Sequence, residues 1–139
     1  MDDVIFMIRR ALSGYIQTPS DKNYTDVIQA LDIGLKSKIN LWVPGSVKVS
    51  PDGEEMLSPG MIAGDDDLYY YIVCLEEYDI GERSEGVQRI QVNFNALMET
   101  VGANTKLGGI CLNPWDGGCF ITREHINGLL DAQAFALMD

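Results

Sequence analysis

The sequence predicts an α+β fold: a mixed, mainly antiparallel sheet packed by helices. Three observations carry that expectation. Segments with a helical three-and-four repeat are interspersed with segments that alternate every second residue, and no clean βαβ repeat recurs along the chain. Hydrophobic residues make up 46% against 22% charged, ordinary usage for a chain that buries a core. At 139 residues the chain is near the usual single-domain size, so 1–139 is read as one domain that buries roughly two-thirds of its unfolded surface.

The elements follow in order. Asp3 to Gln17 reads as a helix because Ile5, Ile8 and Leu12 recur at three and four, and Thr18-Pro19-Ser20 stops it. A second helix is expected from about Thr25 to Ser37, capped by Thr25, with Ile28, Leu31 and Leu35 as its stripe; the two should pack as a helical pair. Ile39 to Val43 alternates as a strand that Pro44-Gly45 punctuates; Ser46 to Val49 offers a continuation before a turn at Pro51-Asp52-Gly53. From Glu54 to Gly64 no pattern dominates.

Leu68 to Leu75, reading LYYYIVCL, is the clearest strand, aromatic and β-branched without Gly or Pro, and is placed centrally. Glu76-Glu77-Tyr78 is expected to begin a short helical turn ended by Gly81, and Val87 to Val92 alternates again as a strand. Asn93 or Asn95 caps a helix to about Val101, with Phe94, Leu97, Met98 and Val101 on one face and Gly102 closing it. Gly108 to Leu112 is a buried strand, Asn113 to Gly118 a dense turn and Cys119-Phe120-Ile121 the return of a hairpin. Thr122 then caps a last helix of about Arg123 to Leu137.

Composition narrows the function classes. Twenty-one acids against ten bases give a formal charge of −11, which opposes binding to a phosphate backbone and to anionic membranes, so neither nucleic acid nor membrane is expected as a partner. Asp2 and Asp3 stand where an export signal carries positive charge, and no apolar run approaches the roughly 20 residues of a membrane span, so a cytoplasmic location is expected. Three cysteines without a Cys-x-x-Cys pair are read as reduced thiols.

The block Leu107 to Leu130, LGGICLNPWDGGCFITREHINGLL, resembles the SseB N-terminal domain family, named for an enhanced-serine-sensitivity phenotype. The resemblance rests on Gly109, Ile110, Leu112, Asn113 and Pro114, then Phe120 and Ile121 running into the helix from Thr122. Upstream, LWVP at Leu41 to Pro44, the aromatic strand, the acidic turn, a strand and a helix follow the family's order, so the likeness covers about Ile28 to Asp131, with 1–24 as an N-terminal helix and connection. Where the family commonly has Phe-Thr-Ser before its acidic pair, Val73-Cys74-Leu75 stands here, and the second domain of longer members is not expected. The resemblance implies a fold and a phenotype rather than a reaction.

Candidate chemistry is sparse. Asn113-Pro114 reads as a structural motif, with Asn bonding nearby backbone and Pro ending the strand. Trp115, beside Gly117 and Gly118, either packs back on the fold or is a candidate partner or ligand contact. Cys119 with His125, the single histidine, has the composition of an activated thiol, yet a strand cysteine is more simply a small core hydrophobe; a zinc site on Cys111, Cys119 and His125 lacks a fourth ligand. Gly-rich phosphate loops, paired histidine ligands and nucleophile elbows are missing, so no catalytic residue, metal or cofactor is expected.

The most unusual feature is acidic. Between Val49 and Glu82 lie Asp52, Glu54, Glu55, Asp65, Asp66, Asp67, Glu76, Glu77, Asp79 and Glu82, with no Lys or Arg. Such a tract is read as solvated loops, as a docking face for a basic partner, or, at Asp65 to Asp67, as a weak divalent-cation site without the spaced oxygens of an EF-hand. The expected function is a non-enzymatic interaction or regulatory module that binds a protein partner through Asp65, Asp66, Asp67, Glu76, Glu77 and Trp115. The alternative is a sensor of a small amino-acid-like ligand, with a pocket between sheet and helices near Tyr69, Tyr70 and Tyr71.

Overall fold

The structure is a computed structural model that describes residues 2–80 and 87–137. Among the described residues it is α+β, with four helices and two mostly antiparallel sheets. Helices α1 (Asp2–Gln17) and α2 (Asp21–Lys36) pack against each other across the short Thr18-Pro19-Ser20 link. The expected helical pair is therefore present, but α2 begins a turn earlier than Thr25. Ser20 is its cap: the extended Ser20 accepts the Asn23 N–H on Oγ, and Asp21 follows at the electropositive first turn. Thr25 lies inside the helix and donates its hydroxyl to the Asp21 carbonyl, a use of threonine that local spacing does not distinguish from a cap.

The first sheet has the order β2-β1-β5, formed by β1 (Asn40–Val49), β2 (Glu55–Pro59) and β5 (Gln88–Asn93), all antiparallel. The second has the order β3-β4-β6-β7, formed by β3 (Met61–Ala63), β4 (Tyr69–Val73), β6 (Leu107–Leu112) and β7 (Cys119–Thr122). Within it β4 and β6 are parallel and the outer pairs antiparallel. β4 is internal, as the aromatic run predicts. The single sheet of the sequence reading is thus two, joined by a seam. Trp42 and Cys74 exchange backbone bonds of 2.9 and 2.7 Å, and Gly60 links Pro44 to Ile72 by donating to the one carbonyl and accepting from the other amide.

That seam explains why Pro44 does not end β1. Its carbonyl points to Gly60, and a strand residue's N and C=O point to the same side, so the missing donor falls on the seam and not on the ladder to β5. β1 continues through Gly45, where a Cβ would lie 2.6 Å from the Ser58 carbonyl oxygen, so only glycine admits the close approach of β2. The unpatterned stretch from Glu54 to Gly64 supplies β2 and β3 on either side of Gly60.

α3 (Phe94–Ala103) is capped by Asn93, whose Oδ1 accepts the Ala96 N–H at 3.0 Å. Gly102 does not close this helix. It lies within it, and its missing Cβ makes room for Asn127 Oδ1 and Leu130 of α4 (Arg123–Leu137), whose backbone begins right after Thr122. All four helices share one apolar cluster with the sheets: Ile8 and Leu12 from α1, Leu31 and Leu35 from α2, Phe94 and Met98 from α3, Ile126 from α4, with Leu41, Val73, Ile110 and Ile121 from the strands. A smaller cluster of Ile72, Cys74 and Ile80, with Trp42 and Ile62 beside it, covers the far face near the seam. Among the described residues no helix is long and apolar enough to cross a membrane. The expected turn end at Gly81, and Glu82 of the acidic tract, lie outside the described residues.

Candidate functional site

The parallel pairing of β4 and β6 brings the two most distinctive parts of the sequence to one end of the sheet. Val73 aligns with Leu112, so the acidic pair that follows β4 and the Asn-Pro-Trp turn that follows β6 leave the sheet side by side. Asn113 welds the two exits. Its N–H donates to the Val73 carbonyl at 2.9 Å, and its Oδ1 accepts the Leu75 N–H at 3.0 Å. The residue is fully buried and left-handed at φ 46°, a conformation asparagine adopts more readily than most side chains. The side chain expected to bond nearby backbone reaches instead 38 residues back in sequence. Pro114 opens the following 3-10 turn, Pro114–Asp116.

From this base Trp115 stands 42% exposed, with Asp116 beyond it. On the β4 side, the 3-10 turn Glu77–Asp79 follows Glu76, and Asp79 Oδ2 accepts the Glu76 N–H at 2.9 Å. Arg9 of α1 reaches across to clamp Asp79 with two contacts of 3.2 and 2.5 Å, and its guanidinium lies 5.5 Å from the centre of the Tyr78 ring. The Asp79 bond, then the neighbouring carboxylate charge, hold the Arg9 pKa above its ordinary value against the cost of burial. Glu77 and Tyr78 remain exposed and Glu76 half-buried. A cation absent from the acidic tract in sequence therefore neutralises one of its members in space.

Asp65, Asp66 and Asp67 lie elsewhere, in the turn between β3 and β4. Nine residue steps of mostly extended chain lead from Asp67 to Glu76, roughly 25–30 Å at about 3.3 Å per residue. Screening at physiological salt acts over roughly 8 Å. The two acidic groups therefore present two separate fields, and Asp52, Glu54 and Glu55 belong to a third, the β1–β2 hairpin tip. Asp66 also holds its own turn together, since Oδ2 accepts the Tyr70 hydroxyl at 2.6 Å and Oδ1 the Leu68 N–H at 3.1 Å. The tyrosine bond holds the Asp66 carboxyl below its ordinary range. Among the described residues no group of three His, Cys, Asp or Glu side chains is arranged to hold a metal ion.

The tyrosine run divides by strand alternation. Tyr70 is buried at 4% exposure over Gly108 and meets the Phe120 ring edge-on at 4.8 Å, whereas Tyr69 is exposed and Tyr71 half-buried on the opposite face. Tyr71 alone of the three lines an apolar cavity of about 350 Å³ between the sheets and α3, with Pro59, Val92, Ala96, Leu97 and Thr100. Cys119 and His125 do not form a pair. Cys119 is buried, its thiol pushed up to about 12 by desolvation and then by Cys111, while the exposed His125 places Nδ1 2.8 Å from Thr122 Oγ1. Cys74 and Cys111 are likewise buried and free, raised chiefly by burial to about 12 and about 11.

Sequence reasoning did not single out Arg9, Tyr78, Tyr15 or Tyr24. Arg9 sits on a helix whose periodicity gives no hint of a partner 70 residues away. Tyr15 and Tyr24, with Phe120 and His125, line a groove of about 700 Å³ where α1, α2 and the outer edge of β7 meet. Comparison with protein-family models, with curated proteins and with solved structures gives no match.

Proposed function

We propose that the chain is a non-enzymatic interaction module that docks a basic protein partner at the shared exit of β4 and β6, through Glu76, Glu77 and Trp115. The observation that carries this reading is the placement of an exposed tryptophan and two carboxylates on one rigid base, tied by the buried Asn113. Large aromatics dominate binding energy where they enter a partner's pocket, and carboxylates around them steer and select a cationic surface. Tyr78 and Asp116 belong to the same surface; the Asp65 to Asp67 turn does not. Membership of the SseB-like family, a regulatory role and a cytoplasmic setting form part of the proposal, supported by the Leu107 to Leu130 likeness and by three buried free thiols. The charge of −11 supports a protein partner over nucleic acid.

Affinity capture with the immobilised chain tests the proposal. A partner retained at low salt should be lost from the Glu76→Lys/Glu77→Lys variant and weakened about thirtyfold or more by Trp115→Ala, since a tryptophan hot spot is worth about 2 kcal/mol or more. Reversal of Asp65 to Asp67 should leave capture intact. Equal capture by all variants refutes the surface named here.

The small-ligand reading draws on one observation, the apolar cavity under Tyr71, whose size suits a compact ligand. Its lining fits an uncharged or aromatic side chain better than a zwitterion. Thermal-shift screening decides: a ligand at about 100 times its dissociation constant adds about 2.7 kcal/mol, and flat melting curves across amino acids and aromatic metabolites remove this option.

A further inference from the structure

We propose that the groove at the outer edge of β7 binds the quaternary ammonium group of a small molecule. Three observations meet there. The first is the disposition of the rings: Tyr15 and Tyr24 lie 5.6 Å apart at 65°, and Tyr24 and His125 5.2 Å apart at 68°. Rings this close meet edge to face and not in a stack, and Phe120, 39% exposed and itself edge-on to Tyr70, adds a fourth aromatic side chain to the lining. Aromatic walls of this kind attract organic cations through the negative faces of the rings.

The second observation is charge. Asp21 lines the groove, is exposed and makes no ion pair among the described residues. The start of α2 would otherwise invite an anion, but Ser20 Oγ already occupies the Asn23 amide and Asp21 repels negative charge. A cation is the complementary guest.

The third is fixation. Tyr24 donates its hydroxyl to the Phe120 carbonyl at 3.0 Å, which closes part of the open edge of β7. On the far wall, Thr122 Oγ1 accepts the His125 N–H at 3.3 Å and faces Nδ1 at 2.8 Å. Two of the walls are thus held by bonds across 96 and 3 residues of sequence, so little ordering remains for binding. The groove is distinct from the Glu76, Glu77 and Trp115 surface, and either proposal stands if the other fails.

The chain has a single histidine, so its ring protons are a ready reporter in proton NMR. Choline should shift them saturably, and about two- to fivefold more tightly than its neutral carbon isostere 3,3-dimethylbutan-1-ol, the difference expected for a cation over partly exposed rings. Asp21→Asn, at an exposed position, should weaken choline several-fold without moving the isostere. Tyr24→Phe, which keeps the ring but loses the bond to the Phe120 carbonyl, should weaken binding only modestly, and Tyr24→Leu should lose it. Equal affinity for choline and the isostere, or no shift with choline, overturns the proposal. Binding of a trimethyl-lysine peptide without choline also overturns it, because the guest would then be a protein side chain.

Discussion

Asn113→Ala removes the Oδ1 that accepts the Leu75 N–H and leaves that amide unpaired in a fully buried place. An orphaned buried donor costs about 1–3 kcal/mol. Alanine at φ 46° adds roughly 1 kcal/mol, because a Cβ without a compensating side-chain bond is disfavoured in the left-handed region. The sum is about 2–4 kcal/mol, a large share of the 5–15 kcal/mol that holds a typical domain together. Asn113→Gly separates the two parts, since both variants remove the same buried amide but glycine accepts the left-handed backbone. In urea denaturation the alanine variant should lower the midpoint by on the order of 1–2 M at unchanged slope, and the glycine variant by less. A loss below about 0.5 kcal/mol for alanine, or a glycine variant less stable than alanine, refutes the assignment of Asn113 as the tie between β4 and β6.

Three further outcomes follow from buried groups. Gly109 sits at φ 147° with a Cβ position 1.9 Å from the Ile121 carbonyl oxygen, so Gly109→Ala should separate β6 from β7 and yield chain without a cooperative melting transition. Thiols pushed up to about 11 and about 12 from an ordinary value of 9.0 hold roughly a hundredfold to a thousandfold less thiolate at pH 8, so a disulfide reagent should label Cys74, Cys111 and Cys119 only on the timescale of unfolding; prompt labelling contradicts their burial. Tyr24 and Tyr70 have phenols raised from 10.0 to about 12, chiefly by desolvation. Raised acids favour the folded state fully below pH 10 and lose that contribution as pH rises toward 12, so an ultraviolet titration should show two of the six tyrosines ionising late, together with loss of structure.

The fold was legible wherever local pattern and tertiary demand agree. The LYYYIVCL strand, the Asn93 cap and the hairpin around Asn113 follow from chemistry within a few residues, and the structure keeps them. The differences arise where one residue type serves two ends. Gly102 at the end of an apolar stripe has the signature of a stop, yet its use is to admit α4, a fact of packing that sequence spacing does not carry. Pro44 has the signature of a strand end, yet its lost donor faces a seam made by residues 16 and 30 positions further on. The same limit governs the site. Counting ten acids between Val49 and Glu82 treats them as one surface, whereas β4 carries its two acidic ends far beyond the screening length. That the turn carrying Trp115 leaves the sheet beside the segment carrying Glu76 and Glu77 depends on the parallel register of β4 and β6, which no local signal encodes.

Site-specific photo-crosslinking in cells tests the central claim most directly. With a benzophenone side chain in place of Trp115 or Glu77, the account predicts a discrete adduct with one basic partner, diminished by raised salt in extracts, and none with the probe at Asp66. An adduct at Asp66 equal to that at Trp115, or no adduct at either Trp115 or Glu77, contradicts the docking surface at the exit of β4 and β6.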